Sequence, residues 1–441
     1  MPTEVADSAD VDVVRTGAPE SGAAEYENEP VPQHSRRSLM SVAAVWLGFP
    51  MILTCAVFGG LIVYSLGFWR GMLAIALGNA VLTGYVGALS YLAGKTGKNF
   101  ALTAIGTFGR RGYRVVSAFL ATVVIGWFAF QTGLTGSVLA GSAGWDARWT
   151  ALAAGIGYVA ITLLGIRALS VIGLIAAPLY LLLGGVAIVL ALRNSTLSDA
   201  FCYSGGAGAA AMSMGAAVTL VVACFIDSGT MTADFTRWSR SGRQGFWASF
   251  AAFPFGNGIA MVIGGVIVAL GAAPSPATDG GNFLGALIDA GGWLVPVSIA
   301  FVFVNLGSVC THCLYNGAVG WSQLTGRKMR LLAVLLGSVG VLLAVLGVWS
   351  QFEHWLTLLG VVVPPIGTVL IVDQLVLPRC GITARDSAIR WESFGAWAAG
   401  AVSALAAHLW APQLSDALVG MVSAALVYLA ARRVTQRGEA A

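Results

Sequence analysis

Asp227-Ser228-Gly229-Thr230 sets a carboxylate, two hydroxyls and a glycine into the apolar run 208–233, and Gly48-Phe49-Pro50 interrupts the run 39–66 in a corresponding place. Pro50 lacks an N–H and crowds the preceding turn, so a helix cannot pass through it undisturbed. Both runs have membrane length, since about 20 apolar residues at 1.5 Å each cross about 30 Å of hydrocarbon. Unwound backbone is tolerated at that depth only where protein buries it or a cavity solvates it. Two such breaks at matching places in two halves of a chain point to inverted repeats with a binding site between them.

Working outward from the breaks, the rest of the chain has the same character. Of its 441 residues 57% are hydrophobic and 10% charged, against roughly 25% charged in a soluble domain. Apolar runs fall near 39–66, 70–94, 115–141, 149–166, 169–192, 208–233, 246–272, 288–320, 331–350, 354–377, 393–411 and 414–431. The expected fold is an all-α integral membrane protein of about twelve transmembrane helices. Runs 1 and 6 each open a five-helix repeat, one over about 39–192 and the other over about 208–377, with two peripheral helices over about 393–431. Residues 1–38 carry no periodic apolar pattern and read as a disordered cytoplasmic tail. They lack the basic-then-apolar order of a cleavable signal peptide. Residues 432–441 read as a second cytoplasmic tail.

Charge sets the orientation. With both termini inside, 21 of the 24 Lys and Arg residues fall on the cytoplasmic side, and only Arg70, Arg148 and Arg193 fall on the other, the positive-inside asymmetry. The net charge of +4 thus belongs to loops and gives no nucleic-acid footprint. The bilayer is the expected macroscopic partner, and nothing in the sequence specifies an oligomeric state. Glycine supplies 57 residues, roughly twice its usual share, as helix packing without a hydrophobic drive requires. Trp69, Trp145, Trp149, Trp293, Trp321, Trp349, Trp391 and Trp410 lie near predicted interfaces as an aromatic belt.

No enzyme signature is present. Cys310-Thr311-His312-Cys313 has a C-x-x-C spacing, but no second Cys/His pair completes a zinc site. The six cysteines are scattered and read as small packing residues. Asp227 stands apart, because an acid at membrane depth usually marks an ion or substrate path.

At these residues the chain resembles the bacterial cytosine permeases of the nucleobase:cation symporter family. The resemblance rests on Pro30-Val31-Pro32-Gln33, Gly126-Trp127-Phe128, Ser228-Gly229-Thr230-Met231-Thr232-Ala233-Asp234-Phe235, Gly256-Asn257, Leu314-Tyr315 with Gly320, Trp355-Leu356-Thr357 and Pro364-Pro365-Ile366-Gly367. It implies a leucine-transporter-like fold in a bacterial inner membrane and a flat base held between Trp127 and Phe225. Asp227, Ser228 and Gly229 would line the same pocket. It also implies a sodium site from the backbone of Gly48 and Ile52 and the side chains of Asn305 and Ser308, with no other cofactor; such oxygen ligands suit a small hard cation.

Departures from the family pattern are informative. Val124 stands where a Gln would precede the stacking Trp by one turn, Cys310 where an Asn would face the base, and Val309 where a Thr would flank the sodium site. Asp227 replaces a small polar residue. A site built to pair one polar edge rejects analogues lacking it, so a substrate other than cytosine is expected. The expected activity is cation-coupled import of a nucleobase-like heterocycle, driven by sodium or protons through alternating access. The other readings are uptake of a thiamine-precursor aminopyrimidine or another cationic heterocycle, and a non-transporting membrane sensor of the same fold.

Overall fold

The computed structural model describes residues 26, 28–206, 212–348, 352–380 and 387–440. Its helices are α1 (Leu39–Gly48), α2 (Leu53–Leu66), α3 (Phe68–Thr96), α4 (Phe100–Phe108), α5 (Tyr113–Ala143), α6 (Ala147–Thr162), α7 (Ile166–Ala191), α8 (Leu197–Phe201), α9 (Met214–Ala223) and α10 (Ile226–Thr230). They continue as α11 (Ala233–Thr236), α12 (Gly242–Phe250), α13 (Gly258–Ala269), α14 (Leu284–Asp289), α15 (Leu294–Thr325), α16 (Met329–Val345), α17 (Phe352–Val362), α18 (Pro364–Ile371), α19 (Trp391–Trp410) and α20 (Asp416–Ala440). Among the described residues there is no strand beyond an isolated bridge between Arg37 and Ser239.

Seven helical stretches among the described residues are long and apolar enough to cross a membrane, and the α1–α2 pair, bent by 59°, makes an eighth. The other four expected crossings contain helices that are shorter or less apolar: α6, α9, α16 and α19. Length and composition therefore support eight crossings, and twelve is the count of the apolar runs. α12 and α13 form one stretch, joined by a π-helical insert at Ala251–Asn257 around Pro254. The ring of a proline displaces the normal hydrogen bond of its turn.

Packing follows the glycines. A Cβ on Gly48 would lie 2.3 Å from the Gly173 Cα, so α1 and α7 meet backbone to backbone. A Cβ on Gly264 would lie 2.0 Å from the Ala56 carbonyl oxygen, so α2 and α13 meet the same way. These are the close approaches that small residues permit in a bilayer.

The expected N-terminal tail needs correction. Residues 1–25 and 27 lie outside the described residues, but the remainder of the expected disordered segment is folded. Val31 is buried, and its N–H donates to the Gly97 carbonyl at 2.9 Å. Arg36 donates to the Gly94 carbonyl at 2.8 Å, the Arg37 N–H donates to the Trp238 carbonyl at 2.7 Å, and Arg237 donates to the Tyr26 carbonyl at 2.6 Å. The last carbonyls of a helix have no intrahelical donor, and those of α3 recruit this segment without needing an apolar pattern in it. At the other end, the expected tail 432–441 continues α20 as far as Ala440.

The peripheral helices are pinned by a buried polar cluster. Arg390 donates to both carboxylate oxygens of Asp373 at 3.0 Å, and Tyr428 and Thr107 donate to the same carboxylate at 2.7 and 2.8 Å. A buried ion pair is costly to break because the remaining charge is stranded. Asp373→Asn is expected to cost about 3–5 kcal/mol, and Tyr428→Phe about 1–3 kcal/mol. Unfolding in detergent measures both; equal, negligible losses would show that the cluster does not hold α19 and α20.

Candidate functional site

The two broken helices meet. The α1–α2 break spans residues 49–52 and brings the Phe49 ring edge-on to Phe225 with centroids 5.3 Å apart. The second break lies slightly earlier than expected. Phe225, with φ −139° and ψ 11°, is the residue that leaves the helical path, while Asp227–Thr230 fall inside the short helix α10. Gly229 lets α10 approach α3, since a Cβ there would sit 2.7 Å from a Val86 methyl. Tyr85 and Thr230 share a hydrogen bond at 2.7 Å, as do Ser90 and Thr232, so α3 braces the segment around this break.

Trp127 on α5 faces Phe225 with the ring planes 5° apart and the centroids separated by 6.3 Å. Atoms in optimal contact are about 3.5–4.0 Å apart, so a flat ring between these two needs roughly 7 Å, little more than the present spacing. Both rings are buried. Beside them lie two unused polar groups. Asp227 accepts the Ser228 N–H through Oδ1 at 2.7 Å, and its buried Oδ2 has no partner among the described residues. Gln131, one helical turn beyond Trp127, accepts the Thr54 hydroxyl at 2.8 Å, and its buried amide nitrogen has none. An acceptor and a donor thus stand ready near one pair of parallel rings.

Gln131 and Thr54 escaped the sequence reading, although the i, i+4 spacing from Trp127 to Gln131 places both on one helix face. Val124, one turn before Trp127, is buried and contributes only apolar surface. Cys310, the other departure from the family pattern expected at the pocket, is buried on α15. Its thiol lies 3.6 Å from the Thr132 hydroxyl and 3.8 Å from the Phe128 carbonyl, within the seam between α15 and α5. Cys313, nearly one turn later on α15, is buried as well.

The four expected cation ligands fall together around the α1–α2 break. Ser308 donates to the Gly48 carbonyl at 3.2 Å. Asn305 donates to the Met51 carbonyl and accepts the Leu53 N–H, both at 2.8 Å. Ile52 is the N-cap of α2, and its carbonyl accepts the Cys55 N–H at 2.9 Å. Asn305 therefore already caps the break. Its oxygen keeps a second lone pair, so the donor set fits a small monovalent cation, with two side-chain oxygens and neutral carbonyls. No group of three or more His, Cys, Asp or Glu residues among the described residues could hold a metal ion.

The two sides of the site differ. Toward the N-terminal segment, Trp46, Phe49, Phe235, Phe253 and His312 pack ring against ring. On the opposite side a hollow of about 670 Å³ is lined by Leu53, Phe58 and Phe130 and by the 274–285 segment. Phe130 stands 6.0 Å from Trp127, so this vestibule approaches the ring pair directly.

A family model described as permease for cytosine/purines, uracil, thiamine, allantoin matches residues 30–430. The cytosine permease of Escherichia coli K12 is 29% identical over 415 residues, covering 93% of this chain and 95% of that protein. The hydantoin permease of Microbacterium maritypicum is 24% identical over 435 residues, covering 91% and 87%. A nucleobase-cation-symport-1 family transporter, solved in a closed conformation with bromovinylhydantoin bound, superposes with a TM-score of 0.77 at 22% identity, covering 93% of this chain and 96% of that one.

Gly48→Ala tests the geometry of the break. It should force α1 from α7 and cost about 1–3 kcal/mol of stability, as overpacking does. Gly84→Ala, which meets nothing within 4 Å, serves as control, and a Gly48 variant as stable as this control would show that the α1–α7 contact yields freely.

Proposed function

The chain belongs to the permease family for cytosine/purines, uracil, thiamine and allantoin, and on that premise we propose that it imports a nucleobase-like heterocycle bound between Trp127 and Phe225. The observation carrying this reading is the parallel ring pair with an unpaired carboxylate oxygen and an unpaired amide nitrogen beside it. Flat rings recognise a planar heterocycle through its faces. Asp227 would accept from ring or exocyclic N–H groups, and Gln131 would donate to a ring carbonyl. An edge with donors and acceptors side by side is the signature of a nucleobase and of related cyclic ureides. Alternating access fits the asymmetry of a packed aromatic plug on one side and a vestibule on the other.

Asp227 favours a second reading within the same class. Among the described residues its carboxylate pairs with no cationic side chain, so a donor-rich or cationic aminopyrimidine would supply the missing charge. A thermal-shift screen of purified protein against free bases, hydantoins and aminopyrimidines separates the two readings, because a ligand specific to the folded state stabilises it by RT ln(1 + [L]/Kd). Stabilisation by none of these planar ligands would remove the proposal.

Trp127→Ala is expected to weaken binding about 5- to 150-fold, from roughly 1–3 kcal/mol of stacking per base. Normal uptake at normal surface expression would contradict the ring sandwich. Asp227→Asn keeps the shape but replaces one acceptor by a donor, so it should shift preference toward analogues carrying a carbonyl at the matching edge. An unchanged analogue profile would leave Asp227 with a purely structural role.

Coupling is proposed to run through a cation at Gly48, Ile52, Asn305 and Ser308. Val309 offers no oxygen, so the site should bind sodium weakly. Uptake measured with choline in place of sodium at fixed pH should fall. Uptake that persists without sodium and collapses with a protonophore would assign coupling to protons instead.

A further inference from the structure

α6 and α16 run side by side on the outside of α5, touching closely where Gly155 faces Val341 and Gly337 faces Val159. On the lipid face their larger side chains splay apart, with Ile156 60% and Leu342 57% exposed. The result is a groove of about 440 Å³ lined by apolar side chains and a single hydroxyl, that of Ser338. At Val345 it joins a second hollow of about 200 Å³, which holds Arg148 at its outer end. Arg148 is exposed, and its guanidinium has no hydrogen bond or ion pair among the described residues. The neighbouring carboxylate of Asp146 is engaged by the Arg148 and Trp149 amides as the N-cap of α6.

We propose that this groove is a binding site for one glycerophospholipid, its phosphate on Arg148 and one acyl chain laid between α6 and α16. The dimensions match. From Arg148 to Val159 the helix rises about 16 Å at 1.5 Å per residue, close to one leaflet of a hydrocarbon core about 30 Å thick. Exposed Trp145 and Trp149 beside Arg148 mark the headgroup level. The charge is complementary, because a guanidinium pairs with phosphate through two parallel hydrogen bonds. A narrow apolar channel ending in a free cation suits a lipid better than the flat face of a second copy. The groove also lies behind the site: α16 meets α5 where Gly340 abuts the Phe128 ring, the residue next to Trp127.

Native mass spectrometry of the delipidated full-length protein, titrated with dioleoyl phosphatidylglycerol or dioleoylglycerol, tests this. Wild type should retain one phosphatidylglycerol per protomer. Arg148→Gln should bind it about tenfold more weakly through loss of the charge-assisted contact, and Ser338→Phe, which fills the groove from an exposed position, should reduce it comparably. Dioleoylglycerol should bind weakly and equally to wild type and Arg148→Gln. Unfolding temperatures of both variants should match wild type, so that loss of lipid is not loss of fold. Equal phosphatidylglycerol retention by all three proteins would overturn the proposal. So would a dimer that forms without lipid and is abolished by Ser338→Phe, which would assign the groove to a second copy.

Discussion

Backbone groups released at the α1–α2 break have no bulk water to turn to, and Asn305 satisfies two of them at once. Its amide donates to Met51 and its oxygen accepts from Leu53. A buried unmade hydrogen bond costs about 1–3 kcal/mol, so without this side chain the break would be a defect instead of a site. Much else follows from that constraint. The proposed cation ligands are the same atoms or their immediate neighbours, and Phe49, carried by the break, is what brings the first half against Phe225 in the second.

The polar groups left unsatisfied are correspondingly informative. A buried network is stable only when its members are paired, and the Asp373, Arg390 and Tyr428 cluster obeys that rule. The oxygen of Asp227 and the amide of Gln131 do not. Burial without a partner is costly, and the ligand proposed above would supply the missing partners. The two clusters thus differ: one is paired within the protein, and the other keeps an unpaired oxygen and an unpaired amide.

Much of the candidate site could be named before the fold was known, and what the sequence left open has a physical cause. Trp127 and Phe225 were reached through their family setting, and the structure sets them face to face. Cys310 was reached by sequence position, and only the rotation of α15 decides that its thiol lies 3.6 Å from the Thr132 hydroxyl on α5. Residues 28–38 looked unstructured because their anchors are carbonyls at the end of α3 and near Trp238. Backbone acceptors leave no pattern in the sequence of the segment they hold.

The sequence by itself determined the solvent of this protein and where its helices break. Those properties depend on run length and on proline and glycine chemistry, and each can be read one segment at a time. Tertiary structure alone decided that Phe225 and not Asp227 is the hinge, that Asn305 caps the first break, and that Gln131 stands one turn from Trp127 with its amide unused. Each is a relation between segments distant in the chain, set by helix rotation and by close backbone approaches such as Gly48 on Gly173.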